Sequence, residues 1–341
     1  MPAEHQHYVP QLLLRGFLSQ IGDEASKEQV RVFDLERKKA LPSATSITNI
    51  MGERRFNDWW IDGETLASIE PSTSQIESGL APLLEKIRVE KRLEITAENI
   101  SNLALLMAFQ FIRTKKMRLM PERLNQHMVK HIKRMGLDPS KVDGLFDVDK
   151  ESLKKQHVRQ QIKNLSEFTD IMLDKVFFVM TAPEGKPFYI SDHPVALHSD
   201  ADKKRNVYSG LGIGVPYIQI YLPVSHDVML CAYDRAVLGD LTRIREDSIA
   251  QGRSDTLKAL RDGRITAEQM KLILQEAKQY DAIGPLLDKI HAGEPVQAEP
   301  VQVDCYNSLQ VFHANRFVVD PSGKFDVVAE MLEEREASED R

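Results

Sequence analysis

The chain has 341 residues, of which 42% are hydrophobic and 28% are charged, and its formal net charge is -6 at pH 7. This composition is typical of a globular protein and excludes a disordered or fibrous chain. The acidic excess also excludes a surface that is basic overall, although a local basic stripe stays open.

Neither the start of the chain nor its apolar segments indicate export or membrane insertion. The first residues lack the basic and then apolar segments of a secretory signal. The longest apolar run, residues 103–112, is interrupted by Gln110 and is too short to cross a bilayer. The two cysteines, Cys231 and Cys305, are expected to be buried, reduced thiols. We therefore expect a cytoplasmic protein without a membrane segment.

The N-terminal part predicts a short helix followed by strands. Pro10 precedes an apolar-periodic stretch, and proline is favoured in the first turn of a helix, so a helix is expected over residues 10–19. The alternation of residues 29–35 predicts a strand. Residues 56–61, which include both tryptophans, are expected to form another strand or a packed loop.

The middle of the chain predicts a helical block over residues 72–175. Ser74 and Glu77 have the spacing of a capping box, in which a hydroxyl and a carboxylate satisfy backbone donors at a helix start. Thr96 is expected to cap a second, strongly apolar helix. A third helix, over residues 149–175, is more polar and is expected at the surface.

After this block the apolar residues alternate, which predicts strands. Residues 176–180 and 188–190 predict a hairpin around a turn at residues 184–187. Residues 217–224 and 228–233 predict a second hairpin.

The last third of the chain predicts mostly helix. Residues 235–295 have a helical pattern, and Thr266 begins another capping-box sequence. Residues 305–314 predict a helix with Asp304 as its N-cap, and residues 317–319 predict a last strand.

The order of these elements predicts an α+β fold. We expect a mixed or antiparallel sheet, formed by N- and C-terminal strands around the central helical block. Residues 1–335 are expected to form a single large domain, with a helical insertion at residues 235–295 and a frayed tail at residues 336–341. No glycine-rich nucleotide loop, zinc-finger motif or zincin motif occurs in the sequence.

Short segments, in order along the chain, resemble a known family. They are His-Tyr-Val-Pro at residues 7–10 with Phe17 shortly after, Ile-Glu at residues 76–77, Arg113, and Ser-Asp-His-Pro-Val at residues 191–195. They resemble the bacterial family called domain of unknown function 4238 over residues 7 to 318.

This chain departs from the family pattern at three positions. It has Leu13 where an aromatic residue is common, and Gly16 and His193 where asparagine is common. The resemblance implies a fold and a set of positions rather than a reaction, and it associates the chain with bacterial defence or mobile elements.

Two polar segments contain candidates for catalysis. His7, with His5 beside it, precedes a helix start, where a neutral imidazole could act as a general base or a metal ligand. The alternative is that His7 bonds a backbone carbonyl and holds the N-terminus in place. Asp192 and His193 follow an apolar strand, where loops often position catalytic groups. The alternative for Asp192 is a turn around Pro194.

Arg113 lies near the end of an apolar helix, so its charge must be paired. We expect an ion pair with Glu77, and the functional alternative is a clamp on a phosphate or carboxylate group. Asn307, inside an apolar helix, could contact substrate or bridge buried backbone groups.

A basic segment follows Arg113. Its side chains could contact nucleic-acid phosphates, and a solvated basic helix is the alternative. The candidates are Lys115, Lys116, Arg118, Arg123, Lys130, Lys133 and Arg134. His127 and His131 lie on one helix face, but the surrounding cations disfavour a metal ion there. The cofactor stays unknown, since no motif indicates a divalent metal and none excludes one.

Two functions are compatible with these residues. The first is a hydrolase acting on a phosphodiester, similar to a nuclease, in which His7 is the base or a ligand, Asp192 a ligand or orienting group, and Arg113 neutralises developing charge. The proposed substrate contacts are His5, His193, Glu77 and Asn307. The second is a non-catalytic binding or regulatory module with a protein partner. A single cavity containing the three catalytic candidates would favour the hydrolase.

Overall fold

The computed structural model describes residues 4–61, 64–142, 150–199 and 212–339. Within these ranges the protein is 55% helical. The α-helices of the described residues are α1 (Gln11–Leu14), α2 (Glu70–Glu90), α3 (Ala97–Ile112), α4 (Lys115–Arg134), α5 (Lys150–Leu173), α6 (Arg235–Arg261), α7 (Ala267–Ala277), α8 (Ile283–Ala292), α9 (Pro300–His313) and α10 (Asp326–Glu339).

The strands are short, and they lie on both sides of the helical block along the chain. They are β1 (His5–His7), β2 (Gln29–Val30), β3 (Val32–Asp34), β4 (Lys39–Ala40), β5 (Thr45–Ser46), β6 (Gly52–Arg54), β7 (Asp58–Ile61), β8 (Thr65–Ser68), β9 (Val176–Thr181), β10 (Ile190–Ser191), β11 (Ala196–His198), β12 (Gln219–Ser225), β13 (Val228–Tyr233), β14 (Val296–Gln297) and β15 (Phe317–Val319).

Two sheets contain most of the strand pairing. The larger has the order β11-β12-β13-β9-β14, and only β14 runs parallel to its neighbour. The smaller has the order β10-β15-β3-β4 and is antiparallel throughout. Because β3 comes from the start of the chain and β15 from its end, the predicted sheet of N- and C-terminal strands is confirmed, as is the α+β class.

The helical block also matches its prediction, since α2 to α5 extend from residue 70 to residue 173. The residues of α3 from Leu103 to Phe109 are buried except for a half-buried Leu105, because this helix packs between the others and against α5. The main apolar cluster includes residues from Tyr8 to Val319, so both ends of the described chain contribute to one core.

Local capping signals were correct at some helix starts and wrong at others. Thr96 caps α3 by accepting from Asn99 N, and Thr266 exchanges hydrogen bonds with Gln269. The predicted box at Ser74 is wrong, because α2 already begins at Glu70. The predicted cap at Asp304 is also wrong, since α9 begins at Pro300.

The hairpin predicted at residues 176–180 and 188–190 does not form. β9 pairs with β13 and β14, while Ile190 pairs with Val319 in the other sheet. Phe188 donates its N–H to the carbonyl of His226 over 2.7 Å, which draws this segment away from β9. The hairpin of β12 and β13 is confirmed.

Neither Cys231 nor Cys305 forms a disulfide bond, and their burial differs from the prediction. Cys231 is buried in β13, whereas Cys305 is exposed on α9. Within the described ranges, no helix combines the length and the apolarity needed to span a membrane.

Candidate functional site

An open cavity of about 370 Å³ lies where β1, α1 and the first half of α2 meet. Its volume falls in the range of small-molecule sites. Most of its walls are polar, and two imidazoles, two carboxylates and one guanidinium contribute to them. The lining residues are His5, His7, Gln11, Leu12, Arg15, Glu70, Glu77, Ser78 and Ala81.

The alternation of β1 places both histidines in this wall. In a strand, residues two apart point to the same side, so His5 and His7 share one side and Gln6 faces the other. Gln6 is fully buried and donates to Asp58 Oδ1 over 2.7 Å, which fixes the orientation of the strand. A Cβ atom on Gly52, in the paired strand β6, would lie 2.7 Å from His5 Nε2, so the close approach of this ring requires glycine there.

The imidazole of His7 is held in one tautomer. Its Nε2 lies 3.1 Å from the carbonyl oxygen of Ile47, and because a carbonyl only accepts, Nε2 carries the proton. Burial lowers the pKa of His7, and the neighbouring His5, whose ring centre is 5.1 Å away, lowers it further. The ring is therefore neutral at pH 7, with its basic lone pair on Nδ1.

Arg113 connects this histidine to Glu77. Its Nη1 donates to Glu77 Oε1 over 2.5 Å, and its Nη2 donates to the backbone oxygen of His7 over 2.8 Å. The guanidinium lies 4.5 Å from the ring centre of Phe109, and the side chain is 2% exposed. The expected ion pair is present, and it neutralises one of the two carboxylates of the cavity wall.

Asp192 lies elsewhere. Its carboxylate is fully buried and accepts from the backbone N–H of Asn315 over 2.7 Å and of Arg316 over 3.0 Å. Burial raises the pKa of Asp192, although these backbone donors oppose the shift. The carboxylate thus accepts hydrogen bonds from the backbone of the turn between α9 and β15. It does not line the cavity.

His193 and Asn307 are also bonded within the fold. His193 Nδ1 lies 2.6 Å from Thr114 Oγ1, and burial lowers the pKa of this imidazole well below its usual value. Asn307 accepts from Tyr189 N over 2.8 Å and donates to the carbonyl of Pro187 over 3.0 Å. Neither residue lines the cavity. The structure therefore brings His5, His7, Glu77 and Arg113 together, and places Asp192, His193 and Asn307 apart from them.

The basic residues of α4 divide into two groups. Lys115 pairs with Glu53, and Lys116 donates to the carbonyl of His313 over 2.8 Å. Burial lowers the pKa of Lys116 to about 8. Arg118 is buried, with its guanidinium 3.4 Å from the ring centre of Phe56.

The remaining basic residues of α4 face solvent. Arg123 is exposed and donates to Asn315 Oδ1. Lys130, Lys133 and Arg134 are also exposed. Across the described ranges, no group of three or more His, Cys, Asp and Glu side chains is arranged to hold a metal ion.

The sequence did not identify several lining residues as candidates. Glu70, Ser78 and Ala81 share one side of α2 with Glu77, which the sequence did identify, and Gln11 and Arg15 are four apart on the neighbouring segment. The helical spacing could have indicated this face of α2, but the helix was predicted to begin after Glu70.

Comparison with known proteins identifies a family but no characterised relative. No curated protein and no solved structure matches the chain. Residues 5–324 match the family described as Protein of unknown function (DUF4238). The match covers nearly the whole chain, and the chain belongs to this family.

Proposed function

We propose that the protein is a hydrolase acting on a phosphodiester, and that the cavity of His5, His7 and Glu77 is its reaction centre. One observation carries this proposal. The contact with Ile47 and the burial of the ring make His7 a neutral imidazole with a free lone pair, in the wall of a cavity large enough for a substrate unit. A neutral imidazole is the form that a general base requires.

The proposed reaction uses the two imidazoles in turn. His7 Nδ1 takes a proton from a water molecule as the water oxygen attacks phosphorus. The bond between phosphorus and the leaving oxygen breaks, and that oxygen takes a proton from His5. Arg15 also lines the cavity, and because its Nε donates to Glu28 over 2.8 Å, its terminal N–H groups are the ones we assign to the phosphoryl oxygens. Arg113 acts as a positioning residue, since it holds the backbone of His7 and the carboxylate of Glu77.

The charge of the cavity is compatible with an anionic substrate. The carboxylate of Glu77 is paired with Arg113, and that of Glu70 accepts from the Asn57 amide over 2.7 Å. Arg113 thus offsets the charge of Glu77, whereas Glu70 is bonded to a neutral amide and keeps its charge, which Arg15 on the same wall opposes.

The proposal extends to the substrate and the cellular location of the protein. We propose that the phosphodiester belongs to a nucleic acid, whose phosphates outside the cavity would contact the exposed side chains of Lys130, Lys133 and Arg134. Two cysteines that form no disulfide bond suit the reducing cytoplasm of a bacterium. A role in bacterial defence is the context in which such a nuclease would act.

A second candidate function is a non-catalytic binding or regulatory module. It is favoured by the contacts of Asp192, His193 and Asn307, because each of these buried polar side chains is bonded within the fold. Under this alternative the cavity binds a ligand without transforming it.

A His7→Gln variant distinguishes the hydrolase from the non-catalytic binding module. Glutamine keeps an N–H group for the carbonyl of Ile47 and removes the basic nitrogen. We expect an unchanged melting temperature, and a loss of about 100-fold or more in the hydrolysis of bis(4-nitrophenyl) phosphate and of short RNA and DNA strands.

His291→Gln is the matched control, because His291 is exposed in the last turn of α8, away from the cavity. It should leave the rate unchanged. Absence of phosphodiester hydrolysis by the unaltered protein, or full activity in His7→Gln, would refute the proposal and leave the binding module. Faster turnover of 4-nitrophenyl acetate would refute the phosphodiester as substrate class.

A further inference from the structure

The exposed side of α4 carries a row of large apolar side chains. Met120, Leu124 and Met128 follow one another at intervals of four, so they lie on one side of the helix. Their exposures are 49%, 60% and 43%. Met135 and Leu137, just beyond the helix, are also exposed. Rows of this kind on a protein surface mark interaction sites, whereas single exposed apolar residues do not.

This row is not the side by which α4 packs on the protein. Ile132, one of the two buried residues of α4, continues the four-residue spacing beyond Met128, so the packed side of the helix borders the row at its C-terminal end. Arg118, the other buried residue, lies about 120° around the helix from Leu124. Met120, Leu124 and Met128 themselves stay exposed. The core of the molecule therefore does not explain the exposed row.

A basic row runs beside the apolar one. Arg123, Lys130 and Arg134 are separated by seven and four residues, so they share a side of α4 next to Leu124. The single acidic residue of the helix, Glu122, is half-buried. The exposed surface of α4 is thus apolar along one line and positive along the next. We call this surface, Met120 to Met135, the α4 face.

We propose that the α4 face docks an acidic amphipathic helix of a protein partner. Such a helix has an apolar row flanked by carboxylates, which is complementary in both pattern and charge to the two rows of α4. Methionine, which supplies three of the apolar residues on this face, is a flexible and polarizable side chain that adapts to a partner helix.

The apolar row distinguishes this partner from other anions. Phosphate groups of a nucleic acid need the cations alone and leave Met120, Leu124 and Met128 without a role. An anionic lipid surface would also accept leucine and basic side chains, but α4 contains neither Trp nor Phe, and the vesicles in the test distinguish a lipid surface from a helix. The α4 face is also separate in residues from the cavity, since none of its residues lines it. An acidic helix and a nucleic acid would compete for Lys130 and Arg134.

The test uses a synthetic peptide as long as α4, with leucines at helical spacing and glutamates on both flanks. A scrambled peptide of the same composition, a single-stranded DNA, and vesicles of phosphatidylserine and phosphatidylcholine serve as the other probes. We expect binding of the amphipathic peptide in the micromolar range by calorimetry or anisotropy. We expect about tenfold or greater weakening in Leu124→Gln/Met128→Gln and in Lys130→Gln/Arg134→Gln.

Leu257→Gln/Leu272→Gln is the matched control, because these leucines are 56% and 54% exposed on α6 and α7. It should leave peptide binding unchanged. The proposal would be overturned if the amphipathic peptide did not bind, or if the scrambled peptide bound equally well. It would also be overturned if only the lysine and arginine changes, and not the leucine and methionine changes, weakened peptide binding. DNA or vesicle binding that exceeds peptide binding and depends on the same four side chains would overturn it as well.

Discussion

The guanidinium of Arg113 donates to Glu77 Oε1 over 2.5 Å, and this ion pair joins the end of α3 to α2 beside the cavity. The arginine is nearly inaccessible, whereas the carboxylate is 29% exposed. A buried charge that loses its partner keeps its desolvation cost, so this pair is sensitive to removal of either side chain.

The first prediction concerns this pair. Glu77→Ala should lower the free energy of unfolding by roughly 3–5 kcal/mol, because it leaves a buried arginine without a counter-charge. Arg243→Ala removes an exposed partner of Asp240 on α6, and should change the free energy of unfolding by less than about 1 kcal/mol. Urea denaturation of the two variants measures the difference. Equal losses would mean that burial of Arg113 carries no energetic weight.

The second prediction concerns the backbone that faces His5. Gly52→Ala would place a Cβ atom 2.7 Å from His5 Nε2 and 3.0 Å from the carbonyl oxygen of Gln6. We expect the ring of His5 to move and the unfolding free energy to fall by about 1–3 kcal/mol. Gly79→Ala, in the exposed interior of α2 with open space around it, should instead stabilise the protein by about 0.5–1 kcal/mol.

Imidazole resonances of His5 in NMR spectra, together with thermal melts, check both changes. Unmoved His5 signals in Gly52→Ala would show that the strand pair absorbs the methyl group elsewhere.

The third prediction compares two glycines that follow helices. Gly293 and Gly136 have φ values of 68° and 74°, a conformation that costs alanine about 1–2 kcal/mol. A Cβ atom on Gly293 would lie 1.8 Å from the carbonyl oxygen of Leu93, whereas nothing lies near Gly136. Gly136→Ala should show the conformational cost alone, and Gly293→Ala should lose several times more. Similar melting temperatures would contradict the close backbone approach at Gly293.

These positions show which parts of the fold could be predicted from local sequence. The caps at Thr96 and Thr266 were predicted correctly because a cap acts over a few neighbouring residues. The start of α2 was not, since Ile69 precedes it without a capping side chain. Pro71 in the first turn of α2 is the signal that could have located this start, as Pro10 did for the first helix.

Long-range pairing explains the remaining differences. Ile190 was assigned to a hairpin with the nearest strand, but it pairs with Val319, which no local pattern indicates. The sequence pattern groups Asp192 with His7 for the same reason, because no local pattern indicates that its carboxylate accepts from the turn at Asn315. The pair of Arg113 and Glu77 was predicted correctly, since a buried charge requires a partner and few were available.

The fourth prediction is a dependence of stability on pH. Burial, and then the charge of Arg118, lower the pKa of His157 from 6.5 to about 3. The unfolded chain therefore binds a proton that the folded chain excludes, and stability falls as the pH drops from about 6.5 towards 3. His157→Gln should reduce the slope by about 1.4 kcal/mol per pH unit in this interval.

His313, whose pKa burial lowers to about 4, should leave part of the slope in that variant. Chemical denaturation at a series of pH values measures the slope, with His291→Gln as the exposed comparison. An unchanged slope in His157→Gln would show that this ring is not the group that resists protonation.

The fifth prediction separates the structural contacts of Asp192 from a reacting role. Asp192→Asn keeps one oxygen acceptor but turns an amide donor towards the N–H groups of Asn315 and Arg316. We expect a loss of about 1–3 kcal/mol in stability, because one of these donors becomes unsatisfied. Hydrolysis per folded molecule should stay the same, since the carboxylate does not line the cavity. Denaturation curves and rates measured well below the melting temperature distinguish the two effects. If Asp192→Asn kept its stability but lost hydrolytic activity, Asp192 would take part in the reaction. The structure would then have to rearrange so that Asp192 reaches His7.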